Sequence, residues 1–393
     1  MALSESKKGW LSLENFDVAV IGGSVAGLSL AAEIAKIGYT VCVFEEHQEI
    51  GEPEKCDGLV SLNLLRRAGY QPSFNIIQDF VRKGVLHSPS GKELSFDTRN
   101  MELVVLDRSQ YDKQVWKTAE YRGAEVRTNT RVRRIKQESK KVEVFSDSGS
   151  ITASFAVDAS GPSSASRRGL IPAAKYEIEG EWIEGSSFHV FFDQRLFPCF
   201  FGWIISSGKQ KAKAGAAGRS INPFLSLERL LSNKKYNIVR KIGSPIYIGG
   251  PSYPFVSGRI LKVGESAGQV KPTTAGGISL AVSSSVLAAR YISEALESSK
   301  PEVLVKYQRD WRKLFGREMK LMLSARRFFE SLQNKDIERI FSAISERELQ
   351  KKVGAVDFDF HVSSLIKSIG IKNMVSIARI SALSLLVSLF SPD

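Results

Sequence analysis

The stretch that most constrains the fold is residues 17–46, DVAVIGGSVAGLSLAAEIAKIGYTVCVFEE. Asp17–Ile21 is an apolar run typical of a strand, and Gly22–Gly27 is a glycine-rich turn. Small apolar residues at helical spacing follow, and Tyr39–Phe44 is a second strand-like run that ends in two glutamates. This order predicts a βαβ unit of the kind that binds a dinucleotide.

The turn departs from the usual dinucleotide fingerprint at one position, because Ser24 stands where the second glycine is expected. Serine adds little bulk, so a pyrophosphate can still approach the N–H groups at the start of the helix. The two glutamates lie about 20 residues past the turn, where an acidic side chain accepts hydrogen bonds from ribose hydroxyls. We therefore predict a nucleotide site that contains Gly22, Ser24, Ala26, Gly27, Glu45 and Glu46.

Further candidate residues for this site follow strands or lie in glycine-rich loops. They are Lys55 and Cys56 in the loop Glu52–Ser61, Arg108 after an apolar run, Val132 in a strand-like run, Gly161 in a second glycine-rich turn, and Gly264, Glu265, Gly276, Gly277 and Ile278 where a long helix of small residues begins. The start of that helix offers N–H groups and a positive dipole to an anion. The alternative for its glycines is close helix packing, and the alternative for Arg108 is a surface cation.

Composition indicates a globular protein and limits its partners. The chain has 393 residues, 43% of them hydrophobic and 25% charged, and a net charge of +13. The charge favours anionic partners such as phosphorylated substrates or an acidic membrane, while no nucleic-acid-binding signature is found. Residues 1–15 lack the apolar core of a signal peptide, and three cysteines do not make a disulfide framework, so we expect a cytoplasmic location. We expect no metal site, because the histidines lack ligand spacing.

The second half of the chain has a different texture. From Tyr176 to Tyr253 aromatic strand-like runs dominate, and no helical crossover occurs before Phe224. This pattern predicts an inserted, mainly antiparallel domain. In the helical last quarter, Lys306 to Arg327 forms a basic amphipathic segment, and Val375–Phe390 is apolar but too short for a confident spanning helix, which favours a docking or interfacial helix.

The order of these elements resembles that of a known enzyme group, the para-hydroxybenzoate hydroxylase-like FAD proteins. The elements that carry the resemblance are the Gly22 turn with Glu45, Arg108 after its strand, the Ser160–Gly161 turn, and Gly264–Glu265 leading to Gly276–Gly277. The resemblance implies an α/β fold, with a Rossmann-type FAD-binding domain (16–80, 102–170 and 256–300), an inserted mainly antiparallel β substrate domain (81–101 and 171–255) and a C-terminal helical region (301–393).

Within this group the chain is most similar to the geranylgeranyl reductase family, which includes archaeal reductases of digeranylgeranylglycerophospholipids. That family has a cysteine followed by glycine near the flavin, and here Lys55-Cys56-Asp57-Gly58 corresponds, with Asp57 inserted. The family's aromatic-x-Trp-x-Phe-Pro stretch is represented by its first half, Phe201-Gly202-Trp203. Glu265 replaces the family's usual aspartate in a Gly-Asp motif.

The resemblance implies an FAD-dependent oxidoreductase that reduces C=C double bonds of geranylgeranyl chains in isoprenoid lipids or their precursors. Reduced FAD would deliver the hydride, Cys56 and Trp203 would flank the reacting double bond, and Phe192 and Phe201 would line a tunnel for the chain together with Trp203. Cys56 is then the candidate proton donor, and its alternative is a residue that only fills space.

The same fold leaves other functions open, because fold does not determine chemistry. One alternative is an FAD-dependent monooxygenase acting on a small aromatic or polyketide-like substrate, and another is a flavoprotein whose FAD is only structural. For the reductase we expect a prenyl lipid or prenyl diphosphate as substrate. We expect the electron donor to be NAD(P)H or ferredoxin, and the sequence leaves both open. We also expect contact with an anionic membrane surface on the inner face of the cell membrane.

Overall fold

A parallel β-sheet that grows from the predicted βαβ unit is the centre of the computed structural model, which describes residues 14–164, 167–344 and 356–369. In chain order the strands are β1 (Asn15–Ile21), β2 (Val41–Phe44), β3 (Leu59–Ser61), β4 (Ile77–Val81), β5 (Lys83–His87), β6 (Glu93–Asp97), β7 (Leu103–Leu106), β8 (Glu125–Arg127), β9 (Val132–Gln137), β10 (Val142–Ser146), β11 (Gly149–Asp158), β12 (Leu170–Ile171), β13 (Ala173–Glu179), β14 (Ser187–Phe191), β15 (Gly202–Ser206), β16 (Lys211–Ala217), β17 (Asn237–Gly243), β18 (Ile246–Tyr247), β19 (Val256–Ser257) and β20 (Ile260–Lys262). The helices are α1 (Val25–Lys36), α2 (Leu62–Arg67), α3 (Arg108–Tyr121), α4 (Pro223–Leu231), α5 (Ile278–Ser298), α6 (Val305–Glu330), α7 (Asn334–Ala343) and α8 (His361–Ile369).

The central sheet has parallel strands in the order β20, β11, β1, β2 and β8. Strand β2 begins at Val41 rather than at the predicted Tyr39, because the Thr40 N–H donates to the side chain of Asp17 at 2.8 Å instead of joining the ladder. Parallel strands end at one edge of a sheet, so the residues that follow β1, β2, β11 and β20 meet there. This edge is where the predicted nucleotide residues come together.

The two faces of the central sheet are covered differently. Because side chains alternate along a strand, Val18 and Val20 of β1 face helices α1 and α5, whereas Ala19 faces the opposite way. On that second face Val142 and Val144 of β10 pack over the sheet, in an antiparallel meander of β9, β10 and β11. The result is a three-layer nucleotide-binding unit of helices, parallel sheet and meander.

A second sheet has seven strands in the order β17, β13, β16, β15, β14, β5 and β6. Its neighbours are antiparallel except for the parallel pair β14 and β5. The strands come from both chain segments that were predicted to form the substrate domain, 81–101 and 171–255. The predicted combination of a Rossmann-type unit with an inserted mainly antiparallel sheet is therefore confirmed, while the boundaries of the domains stay a prediction. Smaller sheets join β3, β7 and β4, and β12 with β18.

The helices after residue 300 tie the two sheets together. Helix α6 buries Trp311 and Met319 against the nucleotide-binding core, and the Trp311 indole N–H donates to the Ser284 hydroxyl of α5 at 2.8 Å. Farther along, Phe328 and Phe329 pack against the seven-stranded sheet with Ile337 and Phe341 of α7. The apolar segment Val375–Phe390 lies outside the described residues.

Candidate active site

A cavity of about 670 Å³ opens at the carboxyl edge of the parallel sheet. Its volume is in the range of sites that enclose a small molecule or cofactor. The cavity is lined by the predicted cofactor residues Gly22, Ser24, Ala26, Glu45, Glu46, Lys55, Cys56, Arg108, Val132, Gly161, Gly264, Glu265, Gly277 and Ile278. Two predicted residues, Gly27 and Gly276, are not part of the lining.

The glycine-rich turn needs its glycines for close packing. Gly22 has φ +110°, and a Cβ there would lie 2.4 Å from the Ala159 carbonyl oxygen. At Gly27 a Cβ would lie only 2.0 Å from the carbonyl oxygen of Gly22, so Gly27 lets α1 start directly under the turn. Ser24 is the exposed N-cap of α1, and its side chain makes no capping hydrogen bond. The first N–H groups of α1 therefore face the cavity as a site for a pyrophosphate.

Glu45 is held at the turn rather than free in solvent. One carboxylate oxygen accepts from the Gly23 N–H at 2.7 Å, and the other accepts from the His47 N–H at 2.9 Å and contacts the His47 ring. Its side chain is 12% exposed. This arrangement aims an acceptor at the position expected for a ribose, and Glu46 beside it pairs with Arg131 at 3.3 Å.

Arg108 is buried, which excludes the alternative of a surface cation. It is the first residue of α3, and its guanidinium donates to Asp112 at 2.7 Å. Burial works against the charge of Arg108, but the charge of Asp112 and its hydrogen bond to Arg108 outweigh burial and hold the pKa of Arg108 above its ordinary value. Its Nε–H is buried without a hydrogen-bond acceptor among the described residues. A buried, unpaired donor in a cavity fits an oxygen or nitrogen acceptor of a bound cofactor.

The far end of the cavity is formed by the Gly264–Ala267 turn and the start of α5. Burial raises the pKa of Glu265 above its ordinary value, and the charges of Arg108 and Lys55 offset only part of this rise. Gly277 is the N-cap of α5 and has no side chain to occupy the helix end. Gly276 instead faces Lys271, whose Cε would be 2.9 Å from a Cβ at that position. The positive end of α5 thus points at the cavity through Gly277 and Ile278.

The loop that carries Cys56 is fastened to the seven-stranded sheet by two buried lysines. The Lys175 ammonium donates to the carbonyl oxygens of Glu54 at 2.8 Å and Cys56 at 3.2 Å. The Lys213 ammonium donates to the Glu54 carboxylate at 2.7 Å. Lys175 and Lys213 have side chains 5% and 4% exposed, whereas Cys56 is exposed into the cavity. The loop therefore lies at the cavity with the Cys56 side chain exposed.

Trp203 is joined to this loop through a residue that sequence reasoning treated as an insertion. The Trp203 indole N–H donates to the Asp57 carboxylate at 2.8 Å. Its ring lies flat across Gly215, where a Cβ would come within 2.2 Å of the indole. The structure thus links Trp203 to Asp57, the residue that directly follows Cys56.

The predicted substrate residues do not line the cavity itself but form a row of aromatic rings beside it. Ring centroids are 6.0 Å apart for Trp203 and Phe201 and 6.1 Å apart for Phe201 and Phe192, and the row continues to Phe341 at 6.1 Å. At its near end the row shares an apolar cluster with Ala275, which does line the cavity. We call the rings Trp203, Phe201, Phe192 and Phe341 the aromatic row.

Sequence reasoning missed Asp57, Lys175 and Lys213. A signal was present for the lysines, because AAKYE and KAKAGAA place them among alanines at positions that alternate as in a strand. A lysine on the apolar face of a strand is rarely buried without a partner, so it marks a paired charge. Within the described part of the chain, no group of three or more His, Cys, Asp or Glu is placed to hold a metal ion.

Comparison with known proteins adds evolutionary evidence to this geometry. The family described as FAD binding domain matches residues 15–223. A digeranylgeranylglycerophospholipid reductase 2 from Methanothermobacter thermautotrophicus is 26% identical over 85% of this chain and 93% of its own length. Its counterpart from Methanopyrus kandleri is 28% identical over 86% of this chain and 92% of its own length. A solved geranylgeranyl bacteriochlorophyll reductase-like protein from Thermoplasma acidophilum superposes with a TM-score of 0.81, at 21% identity over 93% of this chain and 99% of that one.

Proposed function

Because the chain belongs to the FAD-binding-domain family and is an FAD-dependent oxidoreductase, we propose that it saturates C=C double bonds of geranylgeranyl chains in archaeal-type isoprenoid lipids or their precursors. The observation that carries the proposal is the aromatic row, which starts beside the Cys56 loop and runs between the seven-stranded sheet and α7. A long apolar chain needs an extended apolar surface of this kind, whereas a small aromatic substrate does not.

The residues present fit FAD along the whole cavity. The start of α1 would hold the pyrophosphate, Glu45 the ribose, and Arg108 with the start of α5 the oxygen-rich edge of the ring system. Bound FAD supplies the hydride that a carbon–carbon double bond requires. The aromatic row would hold the prenyl chain and exclude water, while Cys56 would supply the proton that completes saturation.

Mass spectrometry under anaerobic conditions tests the reaction. Purified protein reduced with dithionite is incubated with an unsaturated digeranylgeranyl lipid, and the product should gain a pair of hydrogen atoms for each double bond. A parallel reaction in air tests the monooxygenase alternative, which predicts the gain of an oxygen atom and no saturation. Hydroxylation without saturation would refute the proposal.

Cys56 has a role that substitution can separate from packing. If the thiol is the proton donor, Cys56→Ala should lose turnover while retaining FAD and substrate affinity. Because a general acid typically contributes at least about 100-fold to rate, the loss should be of that order. Cys199→Ala serves as the control, since Cys199 is not among the residues that line the cavity. Equal rates for Cys56→Ala and wild type would remove the donor role.

The electron donor is either a nicotinamide nucleotide or a reduced ferredoxin. The sequence contains a single dinucleotide fingerprint, at Gly22–Gly27, and this fingerprint belongs to the proposed FAD site. Anaerobic stopped-flow mixing with NADH, NADPH or reduced ferredoxin, followed by bleaching of the flavin absorbance, identifies which donor reduces the protein fast enough to support turnover.

We further propose that α6 rests on an anionic membrane surface. Its solvent-facing side is basic and carries Arg309, Arg312, Lys313, Arg317, Lys320 and Arg327. Arg326 does not belong to this side, because its guanidinium turns inward to the carbonyl oxygen of Pro272 at 3.3 Å. No helix in the described ranges is long and apolar enough to cross a bilayer.

Vesicle flotation tests the membrane proposal. Vesicles with anionic lipid should recruit the protein more strongly than neutral vesicles, and salt should weaken this recruitment as it screens the charges. The double variant Arg312→Glu and Lys313→Glu should bind less. Lys209→Glu with Lys211→Glu, in the exposed turn before β16 and at the first residue of that strand, should bind as wild type does. Equal loss in both variants would mean that only net charge matters.

A further inference from the structure

Asp57 connects the two residues on which the proposed reaction depends. It follows Cys56 directly in the chain, and its carboxylate accepts the indole N–H of Trp203 at 2.8 Å. We propose that Asp57 is the proton reservoir of the active site, returning to the Cys56 thiolate the proton that Cys56 gives to the substrate. This inference rests on the proposed function.

The two oxygens of Asp57 have different surroundings. Oδ2 accepts from Trp203, whereas Oδ1 is buried and has no hydrogen-bond partner among the described residues. The nearest cation, the Lys175 ammonium, is 4.0 Å from Oδ1 and is already bonded to the carbonyls of Glu54 and Cys56. A protonated carboxyl has one O–H donor, and since Oδ2 receives a hydrogen bond, the proton belongs on Oδ1. That proton is then free to be donated.

The charges around Asp57 balance only if Asp57 is neutral. Lys175 and Lys213 face it from the sheet, and these two cations are matched by Glu54, at 2.7 Å from Lys213, and Glu177, at 3.5 Å from Lys175. At the rim, Arg240 lies 3.6 Å from Glu52 and 3.6 Å from Glu177, so three cations face three glutamates before Asp57 is counted. Ionised Asp57 would be a fourth carboxylate for the three cations Lys175, Lys213 and Arg240, an uncompensated charge that burial makes costly.

The direction of the Asp57 pKa agrees with this balance. Burial raises the pKa of Asp57, the charges of Lys175 and Lys213 and the Trp203 hydrogen bond lower it, and Glu54 raises it further. The net shift is upward, so the protonated form persists to a higher pH than in an ordinary aspartic acid.

The protons and electrons of the proposed reaction balance. The hydride pair adds to one alkene carbon, and the Cys56 S–H bond breaks as its proton joins the other carbon. The thiolate then takes the Oδ1 proton of Asp57, and the resulting carboxylate regains a proton from solvent. The reduced donor supplies the electrons, and the Asp57 carboxyl changes only its protonation state.

Two substitutions separate a proton reservoir from a structural link. Asp57→Asn keeps an oxygen that accepts from Trp203 but holds no acidic proton, whereas Trp203→Phe removes the N–H and leaves the acid. For a reservoir, Asp57→Asn should lower kcat by about 100-fold with KM unchanged. The part of the wild-type fall in kcat with rising pH that comes from ionisation of Asp57 should be absent in Asp57→Asn. Wild-type kcat and pH profile in Asp57→Asn would overturn the inference.

A measurement without substrate decides the protonation state directly. Infrared spectra of the FAD-loaded protein at neutral pH should contain the carbonyl stretch of a protonated carboxyl, lost in Asp57→Asn. The matched control is Asp97→Asn, at a partly exposed aspartate whose pKa is lowered by its hydrogen bond to Arg99, and it should keep the band. Absence of an Asp57-dependent band would overturn the inference. Wild-type protein that saturates no prenyl lipid would refute the proposed function instead, and the infrared band would still decide whether Asp57 holds a proton.

Discussion

Replacing Gly27 with alanine tests whether the turn over α1 is as tight as the structure shows. A Cβ at Gly27 would lie 2.0 Å from the carbonyl oxygen of Gly22 and 3.1 Å from Val20. Carbon–oxygen contacts are normally no closer than about 3.3 Å, so α1 or the turn must move by about 1.3 Å. Both sides of the contact are backbone, and no rotamer change relieves it.

The expected free energy follows from two opposing terms. Alanine in place of glycine within a helix stabilises by about 1 kcal/mol, because glycine loses more conformational entropy on folding. Overpacking costs about 1–3 kcal/mol, and a shift of this size in backbone belongs at the upper end. We therefore expect Gly27→Ala to lower the free energy of unfolding by about 2 kcal/mol, taking the upper overpacking value less the helix gain.

Gly316 provides the matched control, because it is also a glycine within a helix but has room for a Cβ. The nearest atom to a Cβ at Gly316 is 3.6 Å away, in the side chain of Arg312. Gly316→Ala should therefore raise the free energy of unfolding by about 0.5–1 kcal/mol. Urea titration of both variants measures the two values, and flavin released on denaturation measures FAD content, which should fall only in Gly27→Ala. Stabilisation by both substitutions, with full FAD content, would refute the close packing of turn and helix.

Three further predictions address the cofactor, a buried ion pair and the pH dependence of stability. Ser24→Leu should reduce the FAD retained on purification, because a large side chain would cover the helix start. Lys213→Met should cost about 3–5 kcal/mol in urea unfolding, because it leaves the buried Glu54 carboxylate without its cation. Burial, aided by Lys271, lowers the pKa of His361 from 6.5 to about 4, so the unfolded chain binds the proton first and stability falls as pH drops between those values. His361→Gln should make that fall shallower.

Each of these three predictions has a control or an outcome that would contradict it. Unchanged FAD content in Ser24→Leu would exclude Ser24 from the pyrophosphate site. Lys211 lies on the same strand as Lys213 but forms an exposed ion pair with Glu179. Lys211→Met should therefore change the free energy of unfolding by less than about 1 kcal/mol. The pH dependence of unfolding should be the same in wild type and His361→Gln above pH 6.5, and a difference there would contradict the assignment to His361.

The parts of the site that sequence predicted share one property: they depend on short stretches of chain. The βαβ unit from Asp17 to Glu45 is specified within about 30 residues by glycine placement, helical and strand periodicity and an acidic end. Its residues line one cavity because parallel strands necessarily end together. The same reasoning placed Gly264 and Gly277 at that edge, since each follows a strand or begins a helix.

Contacts between distant segments were decided only by the tertiary structure. Lys175 and Lys213 lie more than 100 residues from Glu54, and nothing in their own strands states which loop they will hold. In the sequence Asp57 is a local insertion, but its carboxylate accepts a hydrogen bond from Trp203, which is 146 positions away. Periodicity specifies which face of a strand is buried, but not which loop packs against that face. The chain by itself therefore determined the βαβ unit and the cofactor that it indicates. The packing of the second sheet on the Cys56 loop decided the surroundings of Glu54 and Asp57, because burial and charge pairing exist only once the sheet and the loop meet.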